Sequence, residues 1–286
     1  MLPRASSAPT PQEAISKPRP LRYVGAIEPD TPSSYRPVTR FTSVAGRQPN
    51  ITIYYSSWGS AFRARFVTAA AKAGAVVLVQ MEPRHASMAA IGAGHWDPYL
   101  RRFAAQVRHY GGQVILSFAP EADGHWYSWG WHHTRPAQYV AAWRRVVTLF
   151  RDSGASNVTW LWDMNEESRA TGRVHNWWPG GRYVDWVGID GYYFRHTDNY
   201  RTVIGSTVRH IRKFTKKPIL LSEVGVGPVA GQAAKIPGLF AGIRRQHLLG
   251  LIWFDVNQHQ GLYHQDWRLH QPAAIAAFRA GVKSLG

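Results

Sequence analysis

The 286-residue chain contains no cysteine. That excludes disulfide staples, thiolate metal sites and cysteine nucleophiles. It leaves the redox compartment open, because a chain of this length buries enough surface to fold without bridges. Acidic residues are scarce, 17 against 34 Lys and Arg, for a formal net charge of +17. Lysine is scarcer still, with seven, so arginine carries the positive charge. No uninterrupted apolar run is long enough to span a membrane. Charged residues make up only 18% against 45% hydrophobic ones, a balance that supplies a large core and excludes wholesale disorder.

What the chain has in abundance is aromatic surface: 13 Trp, 13 Tyr and 11 Phe. Such rings stack on sugars or bases. A basic balance points to nucleic acid, an anionic membrane or an acidic polymer, or it serves solubility alone. The first 22 residues, rich in Pro, Ser and Ala, lack the apolar stretch of an intact signal peptide. They read as a flexible N-terminal segment, and residues 23–286 as a single globular domain.

Eight short apolar runs follow: Tyr23–Ile27, Ile51–Ser56, Ala75–Met81, Gln113–Phe118, Asn157–Trp162, Trp186–Ile189, Pro218–Leu221 and Gly250–Phe254. Their length and apolarity suit strands buried on both faces. Helical spacing lies between them, clearest over Trp96–Tyr110 and Ala137–Ser153, and again over Arg201–Phe214, Ala230–Gln246 and Pro272–Val282. Eight strands alternating with helices predict an α/β fold, a (β/α)₈ TIM barrel. An open doubly wound sheet is the competing arrangement, but the glycines from Gly225 to Gly231 have the wrong spacing for its phosphate loop and carry a proline.

A barrel of this type carries its site at the C-terminal ends of the strands. There the chain places Glu82, Glu121 with Asp123, His125 and Trp126, then Asp163 with Asn165 and Glu166, Asp190 with Tyr192, Glu223, and Trp253 with Asp255. Acids and aromatics thus gather on one rim. Two carboxylates between aromatic walls suit cleavage of a glycosidic bond: one protonates the leaving oxygen, the other attacks the anomeric carbon or activates water. Glu121 and Glu223 are the best pair, each closely following a strong apolar run. Across a barrel mouth they are expected about 5–5.5 Å apart, the retaining spacing. The plain alternative for either is an ion pair with one of the many arginines.

The stretch Ser117-Phe-Ala-Pro-Glu-Ala-Asp-Gly-His-Trp-Tyr-Ser-Trp129 resembles the acid/base motif of glycoside hydrolase family 26, the β-mannanase family, which reads Arg-Phe-(Ala)-His-Glu-Met-Asn-Gly-x-Trp-Tyr-x-Trp. Gly74–Pro83 is similar to the family's third strand, and Tyr139–Val147 with Asn157–Trp162 to the helix and strand after the acid/base. Tyr183–Tyr192 and Lys217–Gly225 resemble its sixth strand and its nucleophile strand. The likeness runs from about Tyr23 to Val282. It implies a (β/α)₈ barrel and retention of configuration. It implies Glu121 as general acid/base, Glu223 as nucleophile, Tyr192 orienting the nucleophile, and Trp126 and Trp253 as sugar platforms. Three positions depart from the motif: Pro120 stands where the family has His, Ser117 where it has Arg, and Ala122-Asp123 where it has Met-Asn. Proline offers no side-chain donor to a sugar. Asp123 adds a negative charge near Glu121, suited to raising its pKa or to binding a cationic sugar.

His125, Asp123, Glu82 and Asn165 complete the expected substrate-binding set. The histidine groups His125, His132, His133 and His259, His264, His270 lack a zinc-like ligand pattern, so no metal and no cofactor is expected. Trp177-Trp178 reads as an outer platform or as core. The nucleophile needs hydrogen-bond donors around it to stay ionised, and the acid/base is expected to be the drier group or to lie beside another carboxylate. The leading reading is a retaining glycosidase acting on a β-linked polysaccharide or oligosaccharide as a monomer, secreted or in the cell envelope, without nucleic acid and without a membrane span. A glycan-binding barrel with weak or no catalysis, and a family member shifted to an acidic cell-surface glycan, are the alternatives; a nucleic-acid binder is disfavoured by the scattered, lysine-poor basic pattern.

Overall fold

The structure, a computed structural model, describes residues 23–168, 171–258 and 265–286. The N-terminal segment 1–22 and the histidines His259 and His264 lie outside the described residues. Eight parallel strands form a closed barrel in chain order: β1 Tyr23–Ile27, β2 Ile51–Ser57, β3 Val76–Glu82, β4 Val114–Phe118, β5 Val158–Asn165, β6 Trp186–Tyr193, β7 Ile219–Val226 and β8 Gly250–Phe254. β1 closes on β8 in register from Tyr23 opposite Gly250 to Ile27 opposite Phe254. Every apolar run of the sequence is a barrel strand, and β5, β6 and β7 each extend beyond the apolar run into polar residues. Those extensions carry the site.

Helices cover the barrel between strands. Asp97–Tyr110 and Pro136–Asp152 each begin with a proline in the first turn, where its missing N–H is no loss. The helix Asp97–Tyr110 stops at Gly111, whose φ of 74° only glycine adopts without strain. The pattern over Arg201–Phe214 resolves into two shorter helices, Tyr200–Val203 and Gly205–Ile211.

Strand alternation divides the core in two. Tyr23, Ile53, Leu78, Ile115, Leu161, Trp186, Leu220 and Ile252 fill the barrel lumen. Their neighbours, such as Val77, Leu116, Trp162, Val187 and Leu221, pack outward under the helices. Continuing the inward parity toward the C-terminal rim gives Tyr55 on β2, Gln80 and Glu82 on β3, Ser117 on β4, Asp163 and Asn165 on β5, and Asp190 and Tyr192 on β6. β7 departs from this rule. Its pairing to β8 shifts register between Leu221 and Val224. A shift of this kind puts two successive side chains, Ser222 and Glu223, on the inner side.

Candidate active site

Glu223, near the end of β7, is 7% exposed. Both of its oxygens accept phenol hydrogen bonds. Tyr192 on β6 donates to Oε2 at 2.5 Å, and Tyr55 on β2 donates to Oε1 at 2.8 Å. Loss of water around the hydroxyls, and then the Glu223 charge, hold both phenols well above the usual tyrosine pKa although the Tyr55 residue is 36% exposed, so they remain donors. Gly225 leaves the room that Tyr192 and Trp267 occupy: a Cβ there would overlap both rings.

Glu121 sits in the loop after β4. Its backbone has a φ of 51°, and Ala119 one of 49°, left-handed conformations that non-glycine residues rarely adopt. Such strain is held where surrounding contacts over-determine it. Here the Glu121 amide donates to the Asp163 carbonyl at 3.0 Å, and the Trp129 indole N–H donates to the Pro120 carbonyl at 2.7 Å. The Glu121 carboxylate accepts from Trp126 Nε1 at 2.9 Å on Oε2 and from the Asn165 amide on Oε1.

Burial, then the charge of Glu121, pushes the Glu223 pKa up to about 8; its two tyrosines pull the other way. Burial also raises Glu121, against the hydrogen bonds from Trp126 and Asn165 and with a further push from Glu82. The charge on Glu121 thus opposes the ionisation of Glu223. Of the two expectations for the acid/base, drier or beside another carboxylate, the second describes it: Glu121 is partly exposed while Glu223 is buried, and the charge of Glu82 bears on Glu121.

Trp126 is 43% exposed and lies beside Glu121, its ring accommodated because Gly124 has no side chain. Trp253 is a correction. It is fully buried, on the helix-facing side of β8, with its ring against Phe278 and its indole N–H on the Trp267 carbonyl at 2.9 Å. Parity explains this: Ile252 points into the lumen, so Trp253 points out. Phe254, next in line, faces inward and meets the Tyr192 ring at 5.5 Å.

Asp123 is also not at the cleft surface. It is fully buried, and its Oδ1 accepts the Asn165 amide N–H at 2.9 Å, so it shapes the loop carrying Glu121 and cannot reach a sugar. Glu82 is buried at the rim and grips Arg84 through two hydrogen bonds, at 2.9 and 3.1 Å. Asn165 touches Glu121 directly. His125 is exposed, its ring edge-on to Trp126 at 5.5 Å. Glu166, half-buried, is pushed up to about 8 by burial and then by the charges of Asp198 and Glu121. Trp177 is buried and its carbonyl accepts the Trp162 indole N–H, which makes it core.

One aromatic residue at the site, Tyr55, went unread in the sequence, and Tyr127 was read only as part of the motif around Glu121. Tyr55 was legible from the inward parity Ile51, Ile53, Tyr55. Tyr127 stacks on Trp129 at 4.3 Å, lies under the Arg84 guanidinium at 5.3 Å, and feels the charges of Glu121, Glu223 and Glu82. Its signal was the aromatic cluster after Glu121. Among the described residues no group of three or more His, Asp or Glu is arranged to hold a metal ion.

Comparison with known proteins places the chain among glycan hydrolases. The model of glycosyl hydrolase family 26 matches residues 100–277. Endoglucanase H of Acetivibrio thermocellus is 27% identical over 269 residues, which cover 88% of this chain and 29% of that protein. A mannan endo-1,4-beta-mannosidase of Caldalkalibacillus mannanilyticus is 25% identical over 143 residues, 46% of this chain and 26% of that protein. The chain therefore spans under a third of the length of these relatives. The solved structure of a β-mannanase from Bacteroides ovatus superposes with a TM-score of 0.65 at 17% identity, over 96% of this chain and 91% of that one, a likeness of fold.

Proposed function

The chain belongs to glycosyl hydrolase family 26, and from that premise we propose that it is a retaining glycosidase that hydrolyses a β-linked polysaccharide, a β-mannan or related β-glycan, with residues 23–286 as its catalytic unit. One observation carries the reading. Two glutamates at one barrel mouth, after β4 and on β7, are each held by their own pair of side-chain donors, Trp126 and Asn165 on Glu121, Tyr55 and Tyr192 on Glu223.

In the first step Glu121 O–H protonates the glycosidic oxygen as the Glu223 carboxylate attacks the anomeric carbon. The bond to the leaving sugar breaks and a glycosyl ester forms on Glu223. In the second step the Glu121 carboxylate takes a proton from water, whose oxygen attacks the same carbon and releases Glu223. Tyr55 and Tyr192 donate to the nucleophile and fix its oxygens. Asn165 suits a partner that alternates between acid and base, because a primary amide carries both a donor and an acceptor. Trp126, exposed next to Glu121, serves as the sugar platform.

A shift toward acidic glycans is a second reading, supported by Arg84. Its guanidinium is half-exposed at the rim between Glu82 and Tyr127, on a chain of net charge +17. We place the enzyme as a monomer, secreted or in the cell envelope. A panel of mannans, mixed-linkage glucans, xylans and acidic glycans, with product analysis by NMR during the reaction, tests the proposal. Initial release of the β-anomer from a β-linked substrate is expected. Initial release of the α-anomer would overturn retention, and no hydrolysis of any β-glycan would overturn the enzymatic reading.

A further inference from the structure

Below the two glutamates the lumen holds a second carboxyl pair that the double displacement does not use. Asp163 on β5 and Asp190 on β6 are both fully buried, and the Ser222 hydroxyl lies between them. Ser222 Oγ is 2.5 Å from Asp163 Oδ1 and 2.7 Å from Asp190 Oδ1. Gly188 keeps the space open, since a Cβ there would overlap Asp163 Oδ1 and Ser222 Oγ. The remaining oxygens differ. Asp163 Oδ2 accepts the Gln80 amide at 2.5 Å, whereas Asp190 Oδ2 is buried with no hydrogen-bond partner.

A hydroxyl carries one hydrogen, so it can donate to only one of two carboxylates. The other contact then requires a protonated carboxyl, whose hydrogen faces the serine oxygen, with Asp163 also within hydrogen-bond reach of Asp190. Asp163 has donors for both oxygens, as an anion needs. Asp190 has an orphaned oxygen, which is far less costly on a neutral acid than on a buried anion. We infer that Asp190 is a neutral acid donating to Ser222 Oγ, which in turn donates to an ionised Asp163, so that this buried pair holds one proton and positions the catalytic glutamates above it.

The surroundings bear this out. The titratable groups facing the pair are Glu121 from the loop after β4, Glu223 on β7, Tyr55 on β2, Tyr192 beside Asp190 on β6, and Tyr139 from the helix Pro136–Asp152. All are acids or phenols, and no Lys, Arg or His among the described residues forms an ion pair with either aspartate. Burial, then the Asp163 charge, drives Asp190 well above the usual carboxylate range; burial lifts Asp163 only to about 7, restrained by hydrogen bonds from Ser222, Gln80 and Asp190 itself. Both aspartates touch the machinery through the backbone. The Asp163 carbonyl accepts the Glu121 amide, and Asp190 pairs in register with Glu223 across β6 and β7. A neutral Asp190 therefore leaves the nucleophile beside one anion fewer.

The ionisation claim does not need the glycosidase reading, whereas the positioning role rests on it, so the test has two separate arms. In the first, the chain is made with aspartate labelled with ¹³C at the side-chain carboxyl, and the Asp163→Asn and Asp190→Asn variants assign the two resonances. Near about pH 8 Asp190 should resonate as a neutral acid and Asp163 as a carboxylate. Both in the ionised position, or the reverse assignment, would overturn the proposal. In the second, the pH dependence of kcat/KM is compared between the variants, with circular dichroism confirming their fold. Asp163→Asn removes the pair's one anion, so both limbs should move to lower pH by about half a unit or more. Asp190→Asn replaces a group already neutral and should move them by less than about half that. Equal shifts, or a larger shift for Asp190→Asn, would refute the assignment. If either variant fails to fold or turn over, the wild-type spectrum, assigned by whichever variant folds, decides. If the wild type hydrolyses no glycan, the proposed function fails while the carboxyl spectrum still stands.

Discussion

Tyr55, on the second strand, donates its phenol hydrogen to Glu223 on the seventh, at 2.8 Å across 168 residues of sequence. With Tyr192 on the other oxygen, it leaves the buried carboxylate fully solvated by protein. A hydrogen bond to a charged group contributes about 1.5–3 kcal/mol. Tyr55→Phe should therefore lower kcat/KM by about 10- to 100-fold and raise the Glu223 pKa further, moving the acidic limb of the profile to higher pH. Steady-state kinetics across pH would show it. An unchanged limb would mean that Tyr55 only packs against the nucleophile.

The roles of the two glutamates separate with azide. Glu223→Ala should abolish activity on natural substrates, since no covalent intermediate forms. Glu121→Ala should still react with an aryl glycoside whose leaving group needs little protonation, and then stall. Azide added to that variant should give a β-glycosyl azide by attack on the trapped intermediate, whereas with Glu223→Ala it should enter from the vacated side and give the α-product. Identical products from the two variants would refute the assignment, as would full wild-type activity in either.

Trp126 and Trp253 should now behave in opposite ways. Trp126→Ala removes a partly exposed ring beside Glu121 and should weaken oligosaccharide turnover with little change in melting temperature. Trp253→Ala empties a buried site against Phe278 and should cost about 3–5 kcal/mol of stability. Thermal melts alongside kinetics on oligosaccharides distinguish them. A normal melt for Trp253→Ala would contradict its place in the core.

Stability should fall as pH rises. Burial lifts Glu28 and Glu166 to about 8 and Asp255 to about 6. A carboxyl raised in the fold binds its proton more tightly folded than unfolded, so its contribution is complete below the unfolded value near 4.5 for Glu and is lost as pH climbs through the raised one. The melting temperature should accordingly drop between about pH 4.5 and pH 8 and level off above that. Glu28→Gln should flatten that slope, because the charge it removes is opposed both by burial and by Asp255. A melting temperature that rises over this range would refute the argument.

Much of the site was legible without coordinates. Glu121, Glu223, Tyr192, Trp126 and Asn165 all stand at one rim, each past an apolar run, because buried parallel strands show their apolar cores in the chain itself and the barrel puts their C-terminal ends together. Tyr55 and Phe254 were also within reach of simple alternation, counted from Ile53 and Ile252. Trp253 was misplaced for want of that count: a tryptophan at a strand end invites the platform reading, and only its parity tells that it faces the helices. Asp123 was misplaced for a different reason. Its contact with the Asn165 backbone joins two strand ends, and no local pattern shows a loop folding its acid inward.

The chain by itself determined what is local: eight strands, their covering helices, and the gathering of acids and aromatics at one end of the barrel. These depend on apolar run length, on helical spacing, and on proline and glycine at helix ends, interactions that act over a few residues. Tertiary structure alone decided what depends on register and closure. The shift between Leu221 and Val224 turns Ser222 and Glu223 to the same side. Barrel closure then brings Tyr55 to the nucleophile, and the packing of β5, β6 and β7 sets one serine hydroxyl between two aspartates. The physical reason is that a one-residue slip in a strand reverses the face of every side chain beyond it, and its cost or gain is felt only when the neighbouring strand is in place.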